Sequence, residues 1–167
     1  MQEAKLHVVC GPPAGGKTVY GRELATRLRA VFLDSDTATE RVVQAGMGAA
    51  GMSPDDRDSP EYKRHFRTAV YETLFALAEE NLPQLPVVLA GPFTAESQDA
   101  TWPERLEARF GVPVQIHFVW AAPERRRERL VARGERRDLP KLADWEGYLA
   151  TCAAGAPPFP HVRIDTD

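Results

Sequence analysis

The sequence of 167 residues lacks several features that would point to particular classes of protein. It contains only two cysteines, Cys10 and Cys152, which argues against a disulfide-stapled secreted scaffold and predicts two reduced thiols. No apolar run approaches the length of a membrane span. The N-terminus leads directly into an apolar strand pattern, so no signal peptide is predicted. We therefore expect a cytoplasmic protein with no membrane partner.

An excess of charge of one sign is also missing. The chain has 21 lysines and arginines against 24 aspartates and glutamates, a net charge of −3 and a pI of about 5.8. This balance argues against broad electrostatic binding to nucleic acid, although one short basic groove remains compatible with it. Internal repeats and low-complexity linkers are absent, so we predict a single domain over residues 1–167.

One stretch, residues 11–18 with the sequence GPPAGGKT, fits the phosphate-binding loop pattern G-x-x-x-x-G-K-[ST]. In such a loop, glycines let backbone N–H groups approach an anion closely. Lys17 then reaches the β- and γ-phosphates of a nucleotide, and the Thr18 hydroxyl ligates Mg²⁺. Because Pro12 and Pro13 lack an N–H group, the later amides must provide most of the contacts. The residues expected to bind the nucleotide here are Gly11, Ala14, Gly15, Gly16, Lys17 and Thr18.

Apolar strand patterns alternate with helical patterns along the chain. The predicted strands are 6–10, 31–33, 87–90, 114–120 and 162–164. This order predicts an α/β fold of three αβα layers, of P-loop NTPase type and similar to nucleoside monophosphate kinases, with a five-stranded parallel sheet. Helices are expected at about 37–45, from Ser59-Pro60, at 124–133 and at 141–152, with a capping box at 101–104. The glycine-rich residues 46–60 predict a mobile loop on the acceptor side.

Two carboxylates, Asp34 and Asp36, follow the second strand at the edge where parallel sheets bind ligands. One interpretation is catalytic, because an aspartate here can orient an acceptor hydroxyl and take its proton. A carboxylate beside Thr18 can also hold a water of the Mg²⁺ shell. The other interpretation is that these residues only cap the next helix. The phosphate-binding loop upstream favours the catalytic interpretation.

The segment 32–36, FLDSD, about 15 residues after Thr18, resembles the second strand of shikimate kinase and its relatives. The chain is also similar to the zeta-toxin-like small kinases, a group that includes chloramphenicol phosphotransferase and polynucleotide 5′-kinase domains. This resemblance implies that Asp34 lies near the metal and that Asp36 is the base or orienting group for the acceptor hydroxyl.

The sequence departs from these families at two points. Ala90 stands where related kinases often carry an aspartate, so metal ligation would rest on Thr18, Asp34, phosphates and water. The three-glycine substrate motif of shikimate kinase is missing, and shikimate is therefore not expected as the acceptor.

Seven arginines fall between Arg125 and Arg137. For Arg125, Arg126 and Arg127 a solvated helix surface is predicted. The segment 129–133, RLVAR, resembles the lid entry of adenylate kinase, which implies that Arg129 packs on the adenine and Arg133 touches the phosphates. Residues 134–140 would then form a lid, with Arg136 or Arg137 closing on the transferred phosphoryl group. Asp165 and Thr166 follow the last strand, where these kinases place a loop near the adenine.

The acceptor is expected between Asp36, the 46–60 loop, the helix carrying Arg64 and Arg67, and Phe93. The two arginines either bind an anionic acceptor or are ordinary surface residues. Together these features predict an ATP- and Mg²⁺-dependent phosphotransferase acting on a hydroxyl of a small molecule. Two alternatives stay open. One is a kinase for the 5′-hydroxyl of a polynucleotide or nucleotide, and the other is a nucleotide-binding switch with little transferase activity.

Overall fold

A computed structural model of the chain describes residues 4–152 and 155–167. Its strands are β1 (Leu6–Cys10), β2 (Val31–Asp34), β3 (Val87–Ala90), β4 (Val114–Trp120) and β5 (Val162–Asp165). Its α-helices are α1 (Lys17–Leu28), α2 (Ser35–Ala49), α3 (Pro60–Tyr62), α4 (Thr68–Asn81), α5 (Trp102–Phe110), α6 (Pro123–Arg133), α7 (Leu139–Ala143) and α8 (Trp145–Thr151). A π-helical turn (Lys63–Arg67) joins α3 to α4, and 3₁₀ turns cover Glu96–Gln98 and Arg136–Asp138.

All five strands run parallel, in the order β2-β3-β1-β4-β5. Leu6 of β1 lies opposite Val87 of β3 and Val114 of β4, so the strands end at a common edge. This edge carries the residues that follow each strand, as expected for ligand-binding parallel sheets. The predicted three-layer α/β fold is confirmed. Within the described ranges, no helix has the length and apolar character needed to cross a membrane.

Alternate residues of the strands build two cores, one on each face of the sheet. Leu6, Val8 and Cys10 of β1 pack with apolar residues of α2, α4 and α5. Val9 faces the opposite side and packs with α1. The thiol of Cys10 is fully buried, and this burial raises its pKa to about 12, which makes it an unreactive core residue.

Two buried histidines lie between the sheet and α1. His7 Nδ1 is 3.1 Å from His117 Nε2, and His117 Nδ1 is 2.8 Å from the Tyr20 hydroxyl. His7 Nε2 lies 3.2 Å from the Ala4 carbonyl and donates to it, because a carbonyl oxygen can only accept. Burial, followed by the neighbouring His7 and Arg27, lowers the pKa of His117 to about 4, so His117 is uncharged at neutral pH.

The predicted loop 46–60 begins later than expected. Helix α2 continues to Ala49, so residues 46–49 are helical rather than a loop. Met47 has no exposed surface because it joins the core beneath α4, and a Cβ at Gly46 would lie 3.1 Å from the Phe66 ring. The segment that follows α2 is held by Arg57, which donates to the carbonyls of Pro54 (2.8 Å) and Asp56 (2.7 Å).

Two further local predictions were wrong. The helix predicted over 141–152 is broken at Asp144, whose carboxylate accepts from Gly147 N (3.0 Å) and begins α8. No capping box forms at 101–104, because the Thr101 hydroxyl donates to Asp99 instead (2.8 Å). Helix α6 (Pro123–Arg133), by contrast, agrees with the helix predicted over 124–133, and Gly134 ends it with a left-handed φ of +63°.

Candidate active site

The phosphate-binding loop lies between β1 and α1 and depends on two glycines with left-handed backbone angles. Gly11 has φ of +141°, and a Cβ there would lie 2.2 Å from the Val119 carbonyl oxygen. Gly16 has φ of +97° and precedes the first residue of α1. Only glycine takes such angles without strain, so the two residues fix the path of the loop against β4 and aim the N-terminus of α1 at its centre.

Lys17 points back into this loop. Its ammonium donates to the Pro12 carbonyl (2.7 Å), which also accepts from Gly15 N (3.1 Å). Desolvation lowers the pKa of Lys17 to about 8, while the carboxylates of Asp36 and Asp34 act in the opposite direction. At neutral pH the ammonium is therefore mostly charged, and an anion entering the loop would gain a direct partner.

Thr18 and Asp34 meet at the start of the cleft. The Thr18 hydroxyl donates to Asp34 Oδ2 (2.9 Å), while Asp34 Oδ1 accepts from the backbone N–H groups of Asp36 and Thr37, each at 3.1 Å. Asp34 is therefore the cap of α2, and it also offers an oxygen beside the Thr18 hydroxyl. Hard oxygen donors of this kind fit Mg²⁺, which commonly takes one or two carboxylates and completes its shell with water and phosphate. The described ranges contain no cluster of three or more histidine, cysteine or acidic residues that could hold a metal alone.

Asp36 occupies the first turn of α2 and plays no part in capping. Its side chain is 56% exposed, and its Oδ2 accepts from Arg137 Nη2 (2.8 Å). Arg137 belongs to the 3₁₀ turn after α6 and also contacts Glu135 (2.5 Å) and Glu40 (3.6 Å). The structure therefore brings the predicted base and one predicted lid arginine into direct contact.

Arg129 connects the loop to the segment after β5. Its Nη1 donates to the carbonyl of Ala14 (3.1 Å) and to the Thr166 hydroxyl (2.9 Å), and its Nη2 contacts the Thr166 carbonyl. The Thr166 hydroxyl in turn donates to the Gly15 carbonyl (2.7 Å). Two residues that the sequence assigned to the adenine side, Arg129 and Thr166, thus lie together against the loop.

Arg133 is bound to a buried carboxylate. Its Nε and Nη2 donate to the two oxygens of Asp138 at 2.6 and 2.7 Å, and Asp138 is only 1% exposed. These bonds raise the pKa of Arg133 above its ordinary value. Arg133 also lines the cleft, but the contact with a phosphate that the sequence suggested stays a prediction.

These parts surround one continuous cleft of about 1380 Å³. The phosphate-binding loop and Arg129 line one half, and Asp36, Arg67 and Tyr148 line the other. Since a single small ligand typically occupies about 300–1,000 Å³, the cleft has room for two. Many lining residues were not predicted from the sequence, because nothing in their spacing marks them; examples are Arg57, Tyr62, Lys141 and Tyr148.

Apart from Gly11, Gly15 and Thr166, which form the phosphate-binding loop or contact it, three predicted site residues do not line the cleft. Phe93 is fully buried and stacks with Tyr71 in the aromatic core, so its assignment to the acceptor is corrected. Arg64 is exposed on the π-helical turn and does not line the cleft. Asp165 is outside it as well and pairs with Arg163 (3.0 Å).

Arg126 differs most from its predicted environment. It was expected on a solvated surface, yet it is 2% exposed and faces the Trp145 ring with its Cζ 5.8 Å from the centroid. Its Nε and Nη1 are buried without any hydrogen-bond partner. A sequence signal existed, since Arg126 stands four residues before the fully buried Leu130 on the same helix face.

The chain is similar in sequence to one known protein family and in fold to several solved structures. The sequence profile of the AAA domain family matches residues 6–154, and no curated protein matches the chain significantly. A Chloroflexus aurantiacus protein for which kinase activity has been suggested is 21% identical with a TM-score of 0.66, over 100% of this chain and 86% of that one. A sugar kinase from Janibacter is 17% identical, with a TM-score of 0.62 over 98% and 86% of the two chains. A gluconokinase from Sinorhizobium meliloti is 15% identical, with a TM-score of 0.56 over 99% and 84%. At these identities the similarity establishes a shared fold.

Proposed function

The chain belongs to the AAA domain family, and from that premise we propose that it is an ATP-dependent phosphotransferase acting on a hydroxyl of a small molecule. The observation that carries the proposal is the position of Asp36. Its carboxylate lies in the same cleft as the phosphate-binding loop, close enough to raise the pKa of Lys17. It is not needed to cap its own helix.

The loop half of the cleft would bind ATP. Lys17 would exchange the Pro12 carbonyl for the β- and γ-phosphates, and the N-terminus of α1 would face the same oxygens. Arg129 and Thr166 already contact the loop and would lie beside the adenine ring of the bound ATP. Thr18 and Asp34 would hold Mg²⁺, which when bound neutralises charge on the phosphates.

The other half would bind the acceptor. Phosphoryl transfer needs little covalent assistance, so the protein mainly positions the two reactants and stabilises charge. Asp36 would orient the acceptor hydroxyl and take its proton as the bond to phosphorus forms. For this to happen, the Asp36–Arg137 ion pair must open, which would free Arg137 to contact the transferred phosphoryl group.

The test is a γ-phosphate transfer screen over sugars, polyols, amino alcohols, antibiotics, nucleosides and 5′-hydroxyl oligonucleotides, with the wild type and Lys17→Ala in parallel. We expect acceptor-dependent transfer by the wild type. We expect at least a 100-fold loss in Lys17→Ala, because a charge at the β,γ-phosphates contributes on that order, with an unchanged melting temperature.

Two outcomes would contradict the proposal. Wild-type turnover by well-folded Lys17→Ala would show that the loop is not used for nucleotide. Tight ATP binding with no acceptor phosphorylated across the whole screen would instead support a nucleotide-binding switch.

A further inference from the structure

The acceptor half of the cleft contains four basic side chains that are at least two-thirds buried. Their side-chain exposures are 10% for Arg57, 29% for Arg67, 18% for Arg137 and 9% for Lys141. Lys63 also lines the cleft but is exposed. Buried arginines and lysines in a ligand site usually suggest an anionic ligand. Here each of the four already has a carboxylate partner.

Arg67 shows the arrangement most clearly. Its Nη2 lies 2.8 Å from Glu96 Oε2, and Glu96 is itself only 20% exposed. The guanidinium also lies over the Tyr71 ring, 5.1 Å from its centroid. An anionic acceptor that took over this Nη2 contact would displace Glu96 and leave a mostly buried carboxylate without a partner.

Arg57 and Lys141 are also paired with carboxylates. Arg57 pairs with Glu40 (2.7 Å) and uses its other guanidinium nitrogen on the backbone of the segment after α2. Lys141 pairs with Asp58 (2.7 Å), and its ammonium is 3.4 Å from the Arg137 carbonyl. Both cations therefore hold the wall of the cleft together.

The fourth buried cation, Arg137, is paired as well. Arg137 is shared by Asp36, Glu40 and Glu135, and Glu40 also neutralises Arg57. The charges of the four buried cations are thus offset by carboxylates, and the half-exposed carboxylates of Asp36 (56%) and Asp58 (57%) line the cleft. Neutral groups that can bind hydroxyls, Tyr62, Thr94, Gln98 and Tyr148, complete this half of the cleft.

We infer that the acceptor is an alcohol without negative charge, either an uncharged polyol or an amino alcohol. This inference rests on the proposed phosphotransferase function and narrows it. Carboxylated and phosphorylated acceptors, including 5′-hydroxyl oligonucleotides, would be discriminated against because like charges would face each other across the cleft.

The first experiment compares matched acceptors that differ only in charge. One set is D-glucose, D-glucosamine and D-glucuronate, and a second is glycerol, serinol and glycerate. With saturating ATP and Mg²⁺, we expect kcat/KM for any accepted neutral or amino member to exceed that of its carboxylate by about tenfold or more. A carboxylate preferred over its neutral counterpart would overturn the inference and leave the kinase proposal intact.

The second experiment does not depend on finding the acceptor. The nucleotide site is filled with a non-hydrolysable ATP analogue and Mg²⁺, and sulfate is titrated at constant ionic strength by calorimetry. We expect no saturable sulfate binding by the wild type. In Glu96→Gln the released Arg67 should create a sulfate site at least about tenfold tighter than any in the wild type.

Glu72→Gln is the matched control, because Glu72 forms a similar arginine pair with Arg109 (2.9 Å) that lies outside the cleft. It should behave as the wild type. Saturable sulfate binding by the nucleotide-loaded wild type, or no gain in Glu96→Gln, would overturn the inference. Failure to bind the ATP analogue at all would instead count against the proposed function.

Discussion

Asp34 and Asp36 are two residues apart, yet they have different partners. Of the two explanations offered by the sequence, capping applies to Asp34, which also contacts Thr18. Asp36 faces the cleft and Arg137, and its catalytic role stays a prediction. Asp36 can therefore be changed without removing the helix cap. This separation makes its proposed role testable by a single substitution.

In Asp36→Asn the amide keeps the shape of the side chain but cannot take a proton. We expect transfer to the acceptor to fall by about 10²–10⁴-fold, the usual contribution of a positioned general base. The free energy of unfolding should change by less than about 1 kcal/mol, since the pair with Arg137 involves a half-exposed carboxylate. Single-turnover rates and thermal melts measure the two quantities.

Asp55→Asn is the control for this substitution. Asp55 also pairs with an arginine of the same 3₁₀ turn, Arg136, at 3.3 Å, but it does not line the cleft. Transfer should be normal in this variant. Normal transfer in Asp36→Asn as well would remove Asp36 from the reaction.

The lowered pKa of Lys17 predicts how ATP affinity depends on pH. In the free protein Lys17 loses its proton around pH 8, whereas bound phosphates would hold the proton on. Binding above pH 8 then requires proton uptake, so affinity should fall as pH rises, by at most about tenfold per pH unit. Titrations of a non-hydrolysable ATP analogue between pH 7 and 10 measure this slope.

Lys17→Arg provides the comparison, because a guanidinium stays charged throughout this range. Its affinity, whatever its value at pH 7, should not change up to pH 10. A flat profile in the wild type would mean that Lys17 is not the cation that binds the phosphates.

At the scale of elements, helices α6 and α8 enclose the unpaired Arg126. A buried guanidinium with two unsatisfied nitrogens is costly, and replacing it by an apolar side chain of similar length removes that cost. We expect Arg126→Met to raise the free energy of unfolding by about 1–3 kcal/mol, as measured by urea denaturation. The exposed Arg127→Met should change it by less than about 0.5 kcal/mol. Loss of stability in Arg126→Met would show that the guanidinium has a partner in solution.

Sequence patterns predicted the positions of the helices and strands well, and predicted where these elements end less well. Apolar runs such as 87–90 mark buried strands clearly, because both faces of a parallel sheet are covered. The end of α2 was missed because glycines at 46 and 48 suggest a loop, whereas Gly46 is used for its close packing on Phe66. The break at Asp144 was missed because aspartate is tolerated inside helices as well as at their starts.

At the scale of the whole molecule, the sequence predicted the order of the elements and the edge at which the site lies. The charge pairing across the cleft could not be predicted from it. Asp36 and Arg137 are 101 positions apart in the chain, and Arg67 and Glu96 are 29 apart. Such pairs depend on how separate helices and strands pack together, and the local spacing of residues in the sequence does not indicate this packing. The same limit explains why Phe93 was assigned to the cleft.

The contact between Thr166 and Gly15 has a consequence for biosynthesis. The two residues are 151 positions apart, so the phosphate-binding loop is made long before the residue that closes over it. At about 5–20 residues per second, a ribosome needs roughly 10–30 s to cover that distance. During this interval β5 is not yet available to pair with β4, and Arg129 lacks one of its partners. A nascent chain would therefore complete the contacts of Arg129 and Thr166 with the phosphate-binding loop only after β5 has emerged from the ribosome.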